Sequence, residues 1–210
     1  MRGLAAIAAY LLLSSEAAAA CICPRCVLPS FRSFQAVSES MLPALDTDEC
    51  FVARRWRPDA ALPERGELIV FRHPISGAEH VFRLFGLPGD RVQMRAGELW
   101  LNGAAIQQDP LADLVRALDL EAGDRCPLAR MQGQTCVIPQ SLETLPGGVS
   151  YPVLDLEGDF LDNTAEILVP EAHVFVLGDN RDNAADSRLS RTIGGPGMIA
   201  FDLIWGVVED

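Results

Sequence analysis

Seven short stretches of β-branched and aromatic residues, CFVARRW, ELIVFRH, HVFRLFGL, RVQM, ELWLNG, HVFVLGD and DLIWGVV, lie between Cys50 and Val208, separated by Gly, Pro, Asn and Asp. Runs of this length and composition suit pleated strands, and 17 Gly and 14 Pro leave little room for long helices. The expected fold is therefore mainly β, with an antiparallel core. RAGELWLNGAAI is a hairpin by its own chemistry, with Asn102-Gly103 at the tight turn. DPLADLVRALDLEAGD, residues 109–124, is the one stretch predicted to be helical. Residues 107–170 read as loop-rich, an inserted subdomain carried on a core built from residues 21–106 and 171–210. At 210 residues and 49% apolar, the chain is long enough to bury such a core.

Residues 1–20 carry a different signal. Arg2 precedes an apolar run from Gly3 to Leu13, and Ala18 and Ala20 supply the small residues of a signal-peptide cleavage site. Residues 3–23 are also long enough to span as a membrane anchor, although Ser14, Ser15 and Glu16 interrupt them. Both versions place everything after Cys21 outside the cytoplasm, at the inner membrane with the bulk of the chain on the periplasmic side. Six cysteines then read as disulfide material. Cys126 and Cys136 close a short loop and form the easiest pair to assign, while the pairing of Cys21, Cys23, Cys26 and Cys50 stays open. CICPRC with Cys50 lacks the paired C-x-x-C spacing of a zinc ribbon, so no metal and no cofactor is expected.

Charge removes further classes. The net charge is -12 with no basic run, which disfavours a nucleic-acid surface. All 17 basic residues are arginine, so no lysine amine is present for general-base chemistry.

Three motifs in order carry the chemistry. SESMLPAL, Ser38 to Leu45, holds two serines one residue apart; FRLFGLPGDRV spans Phe82 to Val92; GDNRDNAADSR spans Gly178 to Arg188. Alone, the last could be a solvated or calcium-type acidic loop. Together with GELIVFRHP they make the chain resemble the bacterial type I signal peptidases, serine endopeptidases that remove signal peptides from exported precursors. The resemblance implies a signal-peptidase-type β core, exported precursors or their signal peptides as partners, and contact with inner-membrane lipid. It makes Ser40 the nucleophile and Ser38, with the Ser40 backbone N–H, the oxyanion-hole donor. Asp179, Arg181, Asp186 and Arg188 then hold the last loop in place, His73 is structural, and Met41, Leu42 and Pro43 lie on an apolar membrane-facing surface.

The sequence departs from the family at the base. A serine hydroxyl needs a proton acceptor within reach, and the family uses a lysine kept neutral by burial. Phe82 stands at that position, and Ala184 stands where the family has the serine that partners the lysine. His80 is the candidate substitute, yet two residues along a strand displace a side chain by roughly 6.6–7 Å on the same face. Arg83 stays protonated and cannot serve. Two readings follow: a signal peptidase with a replaced base, and a catalytically inactive homologue that binds precursors or other exported partners. A self-cleaving repressor, which shares the serine–lysine chemistry, is disfavoured by the leader and by the absence of a DNA-binding segment.

Overall fold

The computed structural model describes residues 21–118, 126, 128–156 and 160–209. The leader or anchor expected at residues 1–20 lies outside them. Among the described residues no helix is long and apolar enough to cross a membrane, and helical structure is confined to single 3-10 turns.

A seven-stranded sheet organises the molecule, in the order Phe31–Gln35, Cys50–Arg55, Ile204–Glu209, Leu68–Arg72, Glu79–Gly86, His173–Leu177 and Ile199–Ala200. Every neighbouring pair in it is antiparallel. The seven β-type stretches fall on its strands and on the Arg91–Arg95 and Glu98–Leu101 hairpin. The turn after Glu98–Leu101 has Asn102 and Gly103 both at positive φ (52° and 82°), the backbone a two-residue turn of matching twist requires. The sheet reverses with period two. Phe82 and Leu84 of Glu79–Gly86 enter one core with Met41, Phe71 and Ala184, whereas Phe85 enters a second with Val92, Leu99 and Phe175. Placing Phe82 on the first face sends its neighbour Arg83 to the other.

The helix expected at 109–124 does not form where the chain is described. Gln107–Pro110 and Leu114–Ala117 are strands, the second paired antiparallel with Thr135–Ile138; residues 119–124 lie outside the described residues. The apolar residues there sit at positions compatible with either period, and pairing with a distant strand decides between them. The 107–170 stretch is also richer in strands than a loop-rich reading allows. It contributes two three-stranded sheets, Met131–Gln132 with Thr135–Ile138 and Leu114–Ala117, and Ser150–Leu154 with Gln140–Thr144 and Gln107–Pro110. Its last short strand, Ile167–Leu168, pairs with Arg91–Arg95 and returns the chain to the core.

All six cysteines are bridged, as Cys21–Cys50, Cys23–Cys26 and Cys126–Cys136, so CICPRC with Cys50 is not a four-thiolate cluster. Loop-closure entropy scales with the separation closed. Cys21–Cys50 spans 29 residues and Cys23–Cys26 only 3, which corresponds to about 3.5 and about 2 kcal/mol of stabilisation in the chain-entropy account.

Candidate functional site

Ser40 sits on a 3-10 turn, Glu39–Met41, entered through extended backbone at Ser38 and closed by the Leu42 N–H donating to the Glu39 carbonyl at 3.1 Å. Met41, 1% exposed, roots the turn in the first core. The Ser38 and Ser40 hydroxyls are 3.0 Å apart and hydrogen-bonded to each other. They open on a cavity of about 330 Å³ lined also by Phe34, Val70, Glu79 and His80.

The turn is tied down from GDNRDNAADSR. The Asn180 N–H donates to the Ser40 carbonyl at 3.1 Å, and the Asn180 side-chain amide donates to the Glu39 carbonyl at 3.0 Å. Glu39 also pairs with Arg116 and accepts from the Asn183 amide at 3.3 Å. The loop passes so close that a Cβ on Gly178 would lie 2.7 Å from the Ser40 carbonyl oxygen and 2.2 Å from the Ala184 Cβ. Only a residue without a Cβ allows that approach. Gly178→Ala is therefore expected to lower the denaturation midpoint and shift the Ser40 turn, costing about 1–3 kcal/mol as an overpacked core position does; urea titration measures it.

The loop's charges are interior. Asp179 and Asp186 are 0% exposed, unlike the carboxylates of the solvated acidic loop this motif could be on its own, and each is paired with an arginine. Arg83 grips Asp179 with two N–H groups at 2.8 and 2.5 Å, donates a third to the Gly66 carbonyl and stacks 4.0 Å from the Tyr151 ring. Asp186 accepts from Arg188 at 2.9 Å and from the Gly178 N–H at 3.1 Å. Arg181, 2% exposed, is held by Glu143 through two bonds of 2.6 and 2.5 Å. Burial works against the Arg181 charge, and Glu143 foremost, with Tyr151 and Asp179, more than offsets it. Glu143 comes from the Gln140–Thr144 strand, and nothing in QSLETL marks it locally. Asn180 and Glu39 were likewise not singled out, although both lie inside quoted motifs and amide-rich loops invite such bonds.

The position that the resemblance assigns to the base is hydrocarbon. Phe82 is 2% exposed and Ala184 7%, both in the core that holds Met41. The edge of the Phe82 ring comes within 3.4 Å of where a Gly178 Cβ would stand, so ring, Ala184 and the Ser40 turn share one contact region. His80 lies on the same strand face as Phe82 and borders the same cavity as both serines. Its ring packs 5.9 Å from Phe71, 6.0 Å from Phe82 and 4.9 Å from His73. Burial first, and the facing His73 second, hold His80 below the ordinary imidazole range. His73 is buried, and its Nδ1 accepts from the backbone N–H groups of Ile75 and Ser76 at 3.3 Å. That is a turn-holding role.

The membrane-facing surface expected at Met41, Leu42 and Pro43 is not one. Met41 and Leu42 are 1% and 6% exposed because the Ser40 turn folds them into two cores. Within residues 21–50 the exposed large apolar side chains are Ile22, Val27, Leu28 and Val37.

The description of one protein family, signal peptidase, peptidase S26, matches residues 8–209 of this sequence. The chain belongs to that family. This S26 chain is 35% identical over 138 residues to a signal peptidase I of Rickettsia bellii (strain OSU 85-389), an overlap of 62% of this chain and 42% of the relative. A signal peptidase I of Rickettsia typhi is 31% identical over 136 residues, covering 61% and 46% of the two chains. The S26 chain thus spans less than half the length of the curated relatives it matches. A crystal structure of a signal peptidase I from Enterococcus faecalis V583 aligns with 72% of this chain and 100% of its own, at 24% identity and a TM-score of 0.38.

Proposed function

We propose that this S26 protein is a signal-peptidase-I-type domain, held at the outer side of the inner membrane, that receives exported precursors at the Ser38–Ser40 cleft and hydrolyses them slowly for want of a base. An extended precursor segment would lie along the strand edge beside the cleft and insert small side chains into the cavity. Ser40 would attack the scissile carbonyl, and the Ser38 hydroxyl with the Ser40 N–H would receive the charge that develops on its oxygen. What supports slow turnover is the joint burial of Phe82 and Ala184 beside the Ser40 turn: a ring and a methyl fill the volume a base and its partner would need. Asp179, Arg181, Asp186 and Arg188 act here as loop supports.

The test is cleavage of a precursor by the natural protein against its Ser40→Ala variant, with precursor affinity measured on both. Binding that survives Ser40→Ala, with little cleavage lost by it, is the expected result. Turnover at ordinary enzymatic rates by the natural protein would overturn it.

One observation favours a second reading, in which His80 takes the Ser40 or Ser38 proton. The imidazole shares the cleft and is held in its neutral, proton-accepting form. With the folded pKa lowered, base function is present at neutral pH and is lost only as pH falls through that lowered value. Residual cleavage with that profile, abolished by His80→Ala, is the result this reading expects.

A further inference from the structure

CICPRC contains a feature that peptide hydrolysis does not use. Cys23 and Cys26 are joined across a single 3-10 turn, Pro24–Val27, in which no residue is buried. The other two bridges have evident structural work: Cys21–Cys50 fastens the first described residue to the start of the Cys50–Arg55 strand, and Cys136 is buried in a core. Cys23–Cys26 fastens only a turn to itself. The Cys26 N–H already donates to the Cys23 carbonyl at 3.1 Å, so the turn is closed without the sulfurs. A cross-link over so short a loop constrains the unfolded chain least of the three.

Chemistry at the turn points elsewhere. Arg25 lies between the two cysteines, mostly exposed, with the Glu209 carboxylate 3.9 Å away. A neighbouring guanidinium favours the thiolate, and a disulfide exchanges faster when its leaving sulfur is stabilised as thiolate. The turn also borders an open groove of about 640 Å³ whose lining includes Cys23 and Arg25, the apolar Leu45, Phe51 and Leu68, and Glu209. Cys23 lines that groove, and both cysteines are only half-buried.

We propose that Cys23–Cys26 is an exchange-active disulfide that accepts two electrons from a dithiol. One thiolate of the donor attacks a sulfur of the pair, breaking the Cys23–Cys26 bond and forming a mixed disulfide. The second thiolate of the donor then attacks its own sulfur in that bond and expels the remaining cysteine. The donor leaves as a disulfide, and Cys23 and Cys26 are thiols carrying the two protons the donor lost. Nothing in this step involves Ser40, so it stands or falls independently of the proposed hydrolysis.

The experiment titrates the full oxidised chain with dithiothreitol, quenches by acid, alkylates and maps the labelled cysteines by mass spectrometry. Cys23 and Cys26 should be labelled together at dithiol concentrations at least about tenfold below those that open Cys21–Cys50 or Cys126–Cys136, with the near-ultraviolet circular dichroism unchanged. Arg25→Glu should slow that reduction severalfold, and Cys23→Ser with Cys26→Ser should fold to the same tertiary signal with a smaller drop in denaturation midpoint than removal of Cys21–Cys50 causes. Reduction of all three bridges together, loss of tertiary signal when Cys23–Cys26 opens, or a rate indifferent to Arg25→Glu would each overturn the proposal.

Discussion

Replacing Phe82 by lysine and Ala184 by serine together is expected to raise kcat/KM for precursor cleavage by roughly 10²-fold or more, the scale on which a positioned general base acts. The site is prepared for it. Position 82 is 2% exposed among Met41, Phe71 and Ala184, so an amine there would be desolvated and its pKa driven down toward the neutral form that can accept a proton. Ala184 sits against Gly178 and the Ser40 turn, where a hydroxyl could orient the amine. Phe82→Lys alone should gain much less, because an unpartnered amine in that core either stays misdirected or recruits water. The hydroxyl pair, Ser38 and Ser40 at 3.0 Å, is already in place. Steady-state cleavage of a precursor by natural, single and double variants measures this, and a double variant no faster than the natural chain would overturn the placing of a base at position 82.

Breaking the Arg181–Glu143 pair should cause the largest loss of stability in the molecule. Glu143 is 0% exposed and answers a guanidinium that is 2% exposed, with the Gln108 amide donating to the same carboxylate at 2.8 Å. Glu143→Ala strands a buried cation and should cost about 3–5 kcal/mol, a drop of roughly 10 °C in Tm for a chain of this size. Removing both charges, as Glu143→Leu with Arg181→Met, should recover most of that, since replacing a buried pair by packed hydrocarbon is often neutral. Chemical denaturation of the three proteins decides it. If Glu143→Ala matched the natural chain, water would have to be reaching Arg181.

What could be seen in the sequence follows physical lines. Strands whose pattern is local, such as HVFRLFGL and ELWLNG, were legible because alternation and turn residues act within a few positions. LVRA at 114–117 was not, since its strand state depends on pairing with Thr135–Ile138. That the serines, Phe82 and Ala184 meet in one region could be expected from motif order. Their surroundings could not: Glu143 reaches Arg181 across 38 positions, and Met41 reads as surface until the turn is seen folding it inward. The interior location of Asp179 and Asp186 was equally hidden, because a charged loop looks solvated until its arginines are located.

The Ser40 turn is stitched on one side to Asn180 and on the other, through Glu39, to Arg116 of the Leu114–Ala117 strand. Segments joined in this way open as one cooperative unit rather than separately. Amide hydrogens of the Ser40 turn should then exchange with solvent in step with those of the 135–138 strand, although more than 90 positions of chain separate them. Cleft opening would thus be governed by the endurance of a small peripheral sheet, and a fluctuation frequency set far from the serines would decide how long the cleft keeps its shape.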